Sequence, residues 1–226
     1  MTIDLIIFDL AGTTVEDNKD VHRVLQSALR KFGVVISIEE ANAVMGIPKP
    51  VAIEQLLLEK EHSSITPDLI MQIHAVFVHE MIDFYEHHPG VREKKGVTDA
   101  FKSLRDKGIK IGVDTGFDRP ITDPLLQRMG WEKGGLLDVS VTSDEVAKGR
   151  PFPDLIFRAM ELTGVSMVER VAKVGDTASD LQEGTSAGCG MVIGITSGAF
   201  TRAQLMKEPH THLVDEISEI VQLMKN

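Results

Sequence analysis

The chain has 226 residues, 42% of them hydrophobic and 26% charged, which is enough to bury a sizeable core in one large domain or in a domain carrying an insertion. A net charge of −10 excludes nucleic acid as the main partner, because neutralising its backbone takes clustered lysine and arginine; a small anionic ligand stays open. The single cysteine, Cys189, excludes an intrachain disulfide, no apolar run reaches the ~18–20 residues that span a bilayer, and the opening MTIDLIIFDL has neither a basic leader nor a cleavage-like segment, so a cytoplasmic location is expected.

The first predicted element is a buried strand over residues 5–8, running into Asp9-Leu10-Ala11-Gly12-Thr13-Thr14. A lone carboxylate at a strand tip, where glycine turns the backbone, is where a nucleophile would sit. From about residue 16 to residue 88 the periodicity is helical throughout. A helix over residues 21–31 stops at Gly33, and Ser37-Ile38-Glu39-Glu40 has the form of a capping box. Pro48 at a first-turn position opens a third helix carrying Leu56, Leu57 and Leu58, and Thr66-Pro67 opens a fourth that ends before Pro89-Gly90. The expected organisation is a helical cap over residues 16–88, hinged near 15–20 and 86–91, on a core formed by residues 1–15 and 89–226.

Further apolar strands are predicted at residues 109–113, 139–142, 171–174 and 191–195, with helical patterns between the later ones. Continuous apolar strands alternating with helices indicate an α/β fold with a parallel sheet covered on both faces, and ligands of such sheets gather at the carboxyl ends of the strands. Three polar segments fall at those ends. Thr115 and the Gly116 amide can donate to phosphoryl oxygens at a helix start. Arg150, in Lys-Gly-Arg-Pro-Phe-Pro, offers a planar charged fork matched to phosphoryl oxygens and to a nucleophilic carboxylate. Asp176 and Asp180 with Asp9 make an oxygen-only cluster suited to magnesium and unstable without a cation. Asp180 has a weaker case than Asp176, since it is also placed to cap the helix that follows, and the metal-site reading is the favoured one.

The ordered set Asp9, Thr115, Arg150, Asp176 and Asp180 resembles, over essentially the whole chain, the four motifs of the haloacid dehalogenase-like hydrolase superfamily. Its Asp-x-Ala-Gly-Thr start, the arginine of Gly-Arg-Pro-x-Pro and Met-Gly-x-x-Lys at residues 45–49 most resemble the phosphonoacetaldehyde hydrolase, or phosphonatase, branch and its phosphonatase-like relatives. That resemblance implies a Rossmann-type core, a helical cap, a homodimer and a magnesium-dependent aspartyl nucleophile. On this reading Asp9 attacks phosphorus; Asp9, the Ala11 carbonyl and Asp176 hold Mg2+ with Asp180 behind them. Gly12, Thr13, Met45, Gly46, Thr115 and Gly116 join Ala11 and Arg150 around the substrate. The chain departs from the branch at Ala52, where a histidine is usual three residues after the lysine, and near Lys19, where a cysteine is usual.

Ala11 occupies the position where related enzymes carry a second aspartate. An alkoxide leaves poorly at neutral pH, and loss of the acid that protonates it costs ~10²–10⁴ in rate. Lys49 offers another route: a neutral amine condenses with an aldehyde to an iminium, and this sink accepts the carbon–phosphorus bonding pair as an enamine when Asp9 attacks. Its predicted place at a helix start disfavours the ammonium form, as would burial under a closed cap. Lysines at solvated helix ends are common, so Lys49 outside this motif reads as a surface group.

The leading expectation is therefore cleavage of the C–P bond of phosphonoacetaldehyde or a related small phosphonate. A phosphomonoester phosphatase, for instance one acting on phosphoglycolate, is the alternative, and a non-catalytic sensor of phosphorylated ligands is a third reading. The eight histidines show no zinc spacing, so His74, His79, His87 and His88 read as surface or hinge residues, Cys189 as a small core filler, and Arg92-Glu93-Lys94-Lys95 as a solvated turn.

Overall fold

The run Leu5–Asp9 forms β1, buried at all of its positions because both of its faces are covered. A computed structural model describes residues 2–224 and places β1 in the middle of a six-stranded sheet. The remaining elements, in chain order, are helices α1 (Asp20–Arg30), α2 (Ile38–Ala43), α3 (Lys49–Glu59), α4 (Pro67–His87) and α5 (Val97–Arg105); strand β2 (Lys110–Thr115); α6 (Arg119–Met129); β3 (Val139–Thr142); α7 (Asp154–Thr163); β4 (Val171–Gly175); α8 (Ala178–Ala187); β5 (Met191–Ile195); α9 (Arg202–Leu205); β6 (His212–Val214); and α10 (Ile217–Leu223). The strand order is β3-β2-β1-β4-β5-β6 with every pairing parallel. The predicted α/β class with a parallel, Rossmann-like sheet is what the chain adopts. β6 was not predicted: three residues at the sheet edge, opening on a histidine, give no apolar run to read.

β2 lies on one side of β1 and β4 on the other, so successive strands leave β1 in opposite directions. Such a reversal opens a crevice at the carboxyl edge, since the two crossovers separate there. Asp9 ends β1, Thr115 ends β2, and Asp176 follows β4, so the topology alone carries these three to one rim. Asp9 is in register with Asp114, and Phe8 with Val174.

Helices α1–α4 follow local signals. Ser37 accepts from the Glu40 amide at 3.1 Å while the Glu40 carboxylate accepts from the Ser37 amide at 2.7 Å, closing the capping box of α2. Thr66 Oγ1 accepts from the Leu69 amide at 3.1 Å at the start of α4. Val21, Leu25, Ala28 and Leu29 of α1 meet Ile73, Phe77 and Met81 of α4 in one buried cluster with Ile53, Leu56 and Leu57 of α3. Pro48 immediately precedes α3, and its fixed φ leads the chain into Lys49 as the first helical residue.

Two devices tie this helical segment to the sheet. Arg128 of α6 donates to the carbonyls of Tyr85, Glu86 and His88 at 3.1, 2.9 and 2.8 Å, satisfying the open carboxyl end of α4. The loop between α2 and α3 also packs on sheet loops through glycines. Gly46, at φ 83°, lies against Thr177 and Ser179; Gly149 lies under the Pro48 ring; and a Cβ at Gly116 would fall 2.9 Å from the carbonyl oxygens of both Gly46 and Ile47. Backbone cannot yield as a flexible side chain does. Gly116→Ala is therefore expected to displace the 45–48 loop by roughly an ångström and lower kcat/KM by about 10²-fold, with the melting temperature little changed; steady-state phosphate release and calorimetry check it.

Candidate active site

Asp9 stands at the tip of β1 and is 6% exposed. The turn after it needs Gly12 at φ 91°, where the Asp176 carboxylate closes over the position a side chain would take. Thr13 Oγ1 donates to Asp176 Oδ1 at 3.0 Å and the Ala199 amide donates to Oδ2 at 2.5 Å, so both Asp176 oxygens are aimed. Lys94 Nζ donates to the Gly12 carbonyl at 2.5 Å and to the Ser197 carbonyl at 3.0 Å. The expected solvated turn at residues 92–95 is thus corrected at Lys94: the lysine is drawn half under the surface, burial lowering its pKa, because two carbonyls of the catalytic loops lack other donors.

Behind Asp9 lies an ion network with no solvent contact. Arg150 Nη1 donates to Asp9 Oδ1 at 2.7 Å, Nη2 to the Asp114 carboxylate, and Nε to Glu183 Oε2 at 3.0 Å. Nη1 also stands 2.9 Å from Asp180 Oδ1. Lys173 Nζ bonds Asp114 and lies 3.0 Å from Glu183 and 3.3 Å from Asp180. Asp180 Oδ2 accepts from the Thr177 amide at 3.1 Å and from Thr177 Oγ1 at 2.5 Å, so this residue caps α8 with one oxygen and faces the cations with the other.

Sequence reasoning missed Asp114, Lys173 and Glu183. The signal was present: a lysine inside a predicted buried strand, an aspartate directly after another, and a glutamate three residues after Asp180 on one helix face are costly unless they pair.

Electrostatics follow from the excess of carboxylates. Burial, opposed by Arg150, raises Asp9 to about 6; burial, reinforced by Asp9 and Asp180, raises Asp176 to about 8; burial and Asp114 raise Glu183 to about 8. Asp114 goes the other way: burial would raise it, but Arg150 and Lys173 hold it below the usual carboxylate range. Oxygens of Asp9, Asp176 and Asp180 lie within 4.8 Å of one another. Buried, mutually repelling, oxygen-only donors fit a hard divalent cation, and such an ion would restore the ionised forms that burial disfavours.

Lys49, the first residue of α3, is 2% exposed, and its Nζ donates to the Ile47 carbonyl at 3.3 Å. The Phe77 ring centroid lies 5.9 Å from Nζ and that of Phe117 5.5 Å. Burial pulls its pKa down to about 8 against the opposing charge of Asp9, with Arg150 adding to the fall.

These groups meet at one cavity, roofed by residues of the helical segment and floored by the strand ends. Of the sequence-predicted residues, Asp9, Ala11, Met45, Gly46, Lys49, Thr115, Gly116 and Arg150 line it, with Asp17, Val21, Phe117, Thr177 and Ala199 in addition. Gly12, Thr13, Asp176 and Asp180 stand just outside the lining. Thr115 Oγ1 accepts from the Phe117 amide at 3.1 Å, which turns the backbone after β2. The volume open to the centre of a water-sized sphere is about 30 Å³, room for one or two waters and too little for a metabolite without movement of the roof.

The surface reading of His74 is also corrected: it is 5% exposed, its Nε2 lying 3.2 Å from Asp118 Oδ2, because α4 turns that face onto the sheet loops. Cys189 is half-buried against apolar side chains, and burial pushes its thiol up to about 12, which removes it as a nucleophile.

A protein-family model described as haloacid dehalogenase-like hydrolase matches residues 6–193. The chain is 32% identical over 235 residues to a phosphonoacetaldehyde hydrolase of Bacillus cereus (strain G9842), covering all of this chain and 88% of that protein. A phosphonoacetaldehyde hydrolase-like protein from Oleispira antarctica superposes with a TM-score of 0.83 at 19% identity, over 99% of this chain and 94% of that one. A predicted phosphoglycolate phosphatase from Haemophilus somnus superposes with a TM-score of 0.81 at 20% identity, over 99% and 98% of the two chains. At these identities the two structural likenesses show the fold alone.

The buried network sets a stability test. Lys173→Met leaves Asp114 and Glu183 short of a cation and is expected to cost about 3–5 kcal/mol. Adding Glu183→Leu removes one of the buried carboxyl groups left without Lys173 and should recover part of that loss. Urea unfolding of the two variants and the wild type at neutral pH measures both.

Proposed function

The chain belongs to the haloacid dehalogenase-like hydrolases, and from that premise we propose that it is a phosphonatase-like enzyme that cleaves the C–P bond of phosphonoacetaldehyde, or of a related small phosphonate, through an aspartyl nucleophile and a lysine Schiff base. One observation carries this reading: a buried lysine of lowered pKa shares the cavity with Asp9, while position 11, from which an acid would protonate an alkoxide, is alanine. A cavity with an amine and without that acid is suited to a leaving group that departs as an enamine.

Asp9, the Ala11 carbonyl and Asp176 would hold Mg2+, with Asp180 behind them; when bound, the ion offsets charge on the phosphoryl oxygens and keeps the carboxylates ionised. Arg150 holds Asp9 Oδ1 in place and, with its other nitrogens fixed by Asp114 and Glu183, cannot swing away. Thr115 and the Gly116 amide receive the phosphoryl group at the end of β2. Lys49 adds to the aldehyde carbon, water leaves, and the iminium draws the C–P bonding pair into an enamine as Asp9 Oδ attacks phosphorus. The enamine takes a proton at the carbon that held phosphorus and becomes an iminium again, its hydrolysis releases the aldehyde product and the amine, and water attacks the aspartyl phosphate to return Asp9. The 45–48 loop, seated on the sheet, keeps water out until the first step is complete.

A phosphomonoester phosphatase is the second reading, favoured by Ala52: a fully buried methyl group stands where the phosphonatase branch carries a histidine. Phosphate release from phosphonoacetaldehyde and from a panel of phosphate esters, with Mg2+, separates the two. Lys49→Arg is expected to lower turnover of phosphonoacetaldehyde at least 10³-fold; an equal rate in Lys49→Arg, or faster turnover of an ester, would select the phosphatase. Because the amine is neutral above its pKa, borohydride trapping of Lys49 with the aldehyde should accelerate up to about pH 8 and then level off; mass analysis of the trapped peptide follows it.

A further inference from the structure

Condensation of an amine with an aldehyde moves protons twice, and the phosphoryl machinery supplies no group for it. The amine must lose a proton before it adds, and the carbinolamine oxygen must gain one before it leaves as water. Among the residues lining the cavity, the carboxylates are Asp9 and Asp17. Asp9 is committed to phosphorus and to Arg150. Asp17 comes from the roof side, as Lys49 does, and its charge is among those that support the Lys49 ammonium.

The setting of Asp17 divides its two oxygens. Oδ1 accepts from the amides of Asp20 and Val21 at 2.7 and 3.2 Å and so fixes the side chain at the start of α1. Oδ2 faces His22 Nδ1 at 3.9 Å. The His22 ring is 1% exposed, and Nδ1 has no hydrogen-bond partner. Its Nε2 lies 2.9 Å from Asn42 Oδ1, an oxygen that already accepts from Lys19 Nζ at 2.9 Å, so the ring proton belongs on Nε2 and the lone pair on Nδ1. Burial holds His22 below the usual imidazole range, which keeps the ring neutral. Two acceptors, the imidazole one fully enclosed, therefore face each other at 3.9 Å, and an arriving proton relieves both.

We propose that Asp17, backed by His22, is the proton-transfer residue for the organic half of the substrate. The Lys49 ammonium gives a proton to the Asp17 carboxylate, and the free amine adds to the carbonyl carbon, forming C–N while the C=O pair moves onto oxygen. A proton passes from the new ammonium to that oxygen, giving the neutral carbinolamine. The Asp17 carboxyl then protonates the hydroxyl, the C–O bond breaks with loss of water, and the nitrogen lone pair completes the iminium. Amine cation plus aldehyde has become iminium plus water, with Asp17 returned as carboxylate. Asp17 is the catalytic residue of this step; His22 positions it and shares its proton.

This proposal rests on the Schiff-base reading, and the test keeps the two apart. Wild type, Asp17→Asn, Asp17→Glu and Lys49→Arg are each treated with phosphonoacetaldehyde and borohydride, and the rate of label gained at residue 49 is read by mass spectrometry. Asparagine still accepts the two amide bonds at the start of α1, so Asp17→Asn should fold, which an unchanged melting temperature verifies. The expected result is trapping slowed about 10²-fold in Asp17→Asn, partly restored in Asp17→Glu, and absent in Lys49→Arg. Trapping in Asp17→Asn at the wild-type rate overturns this proposal and leaves the Schiff base standing. Absence of trapping in the wild type overturns both.

Discussion

The hydrogen bond between Arg150 and Asp9 is the constraint on which the rest of the site depends, because it ties the carboxylate at the tip of β1 to a charge cluster whose other members are fully buried. Five carboxylates, Asp9, Asp114, Asp176, Asp180 and Glu183, share this region with two cations, Arg150 and Lys173. Desolvating that many like charges opposes folding, and the cost is tolerable only because each cation serves several anions at once. Arg150 spends its fork on three side chains from β1, β2 and α8, cross-linking elements that the sheet order already brings together. The negative excess that remains at the rim, with oxygens of Asp9, Asp176 and Asp180 within 4.8 Å of one another, fits a hard cation. Burial raises Asp9 to about 6, so a cation held beside it would favour its ionised form.

The roof over this cluster is coupled to it through backbone rather than through long side chains. Glycines at 46, 116 and 149 let the 45–48 loop settle directly on three sheet loops, which leaves room for little more than water below it. The two connecting segments run side by side, Val15 bridging Glu93, and Lys94 reaches from the second of them to the Gly12 carbonyl. Movement of the helical segment is thus felt one residue from Ala11, at the turn that sets the nucleophile.

How much of this was legible in the sequence depended on the range of the interaction. Strands ending in Asp9 and Thr115 and helices announced by Ser37, Pro48 and Thr66 are local patterns, and they fell within a residue or two of where the chain forms them. The rim residues were legible as motifs because parallel strands deliver their carboxyl ends to one edge whatever the register. Asp114 and Lys173 were not, since only the register shows that Asp114 lies beside Asp9 and that Lys173 lies beside Ile7, on the same face two residues below. His22, His74 and Asp17 were missed for a related reason: their burial depends on how α1 and α4 rotate against the sheet, which no single helix encodes.

Partition of the cavity between its two walls explains why position 11 can be alanine. In a hydrolase that must protonate a departing alkoxide, the acid has to come from the sheet side, next to the nucleophile. Here the sheet side carries Asp9, Thr115, Gly116 and Arg150 with the Phe117 ring, while the amine, the second carboxylate and the apolar surfaces of Val21 and Met45 come from the roof. Residues 17–49 supply that roof, whereas the sequence motifs at the strand ends supply the rim.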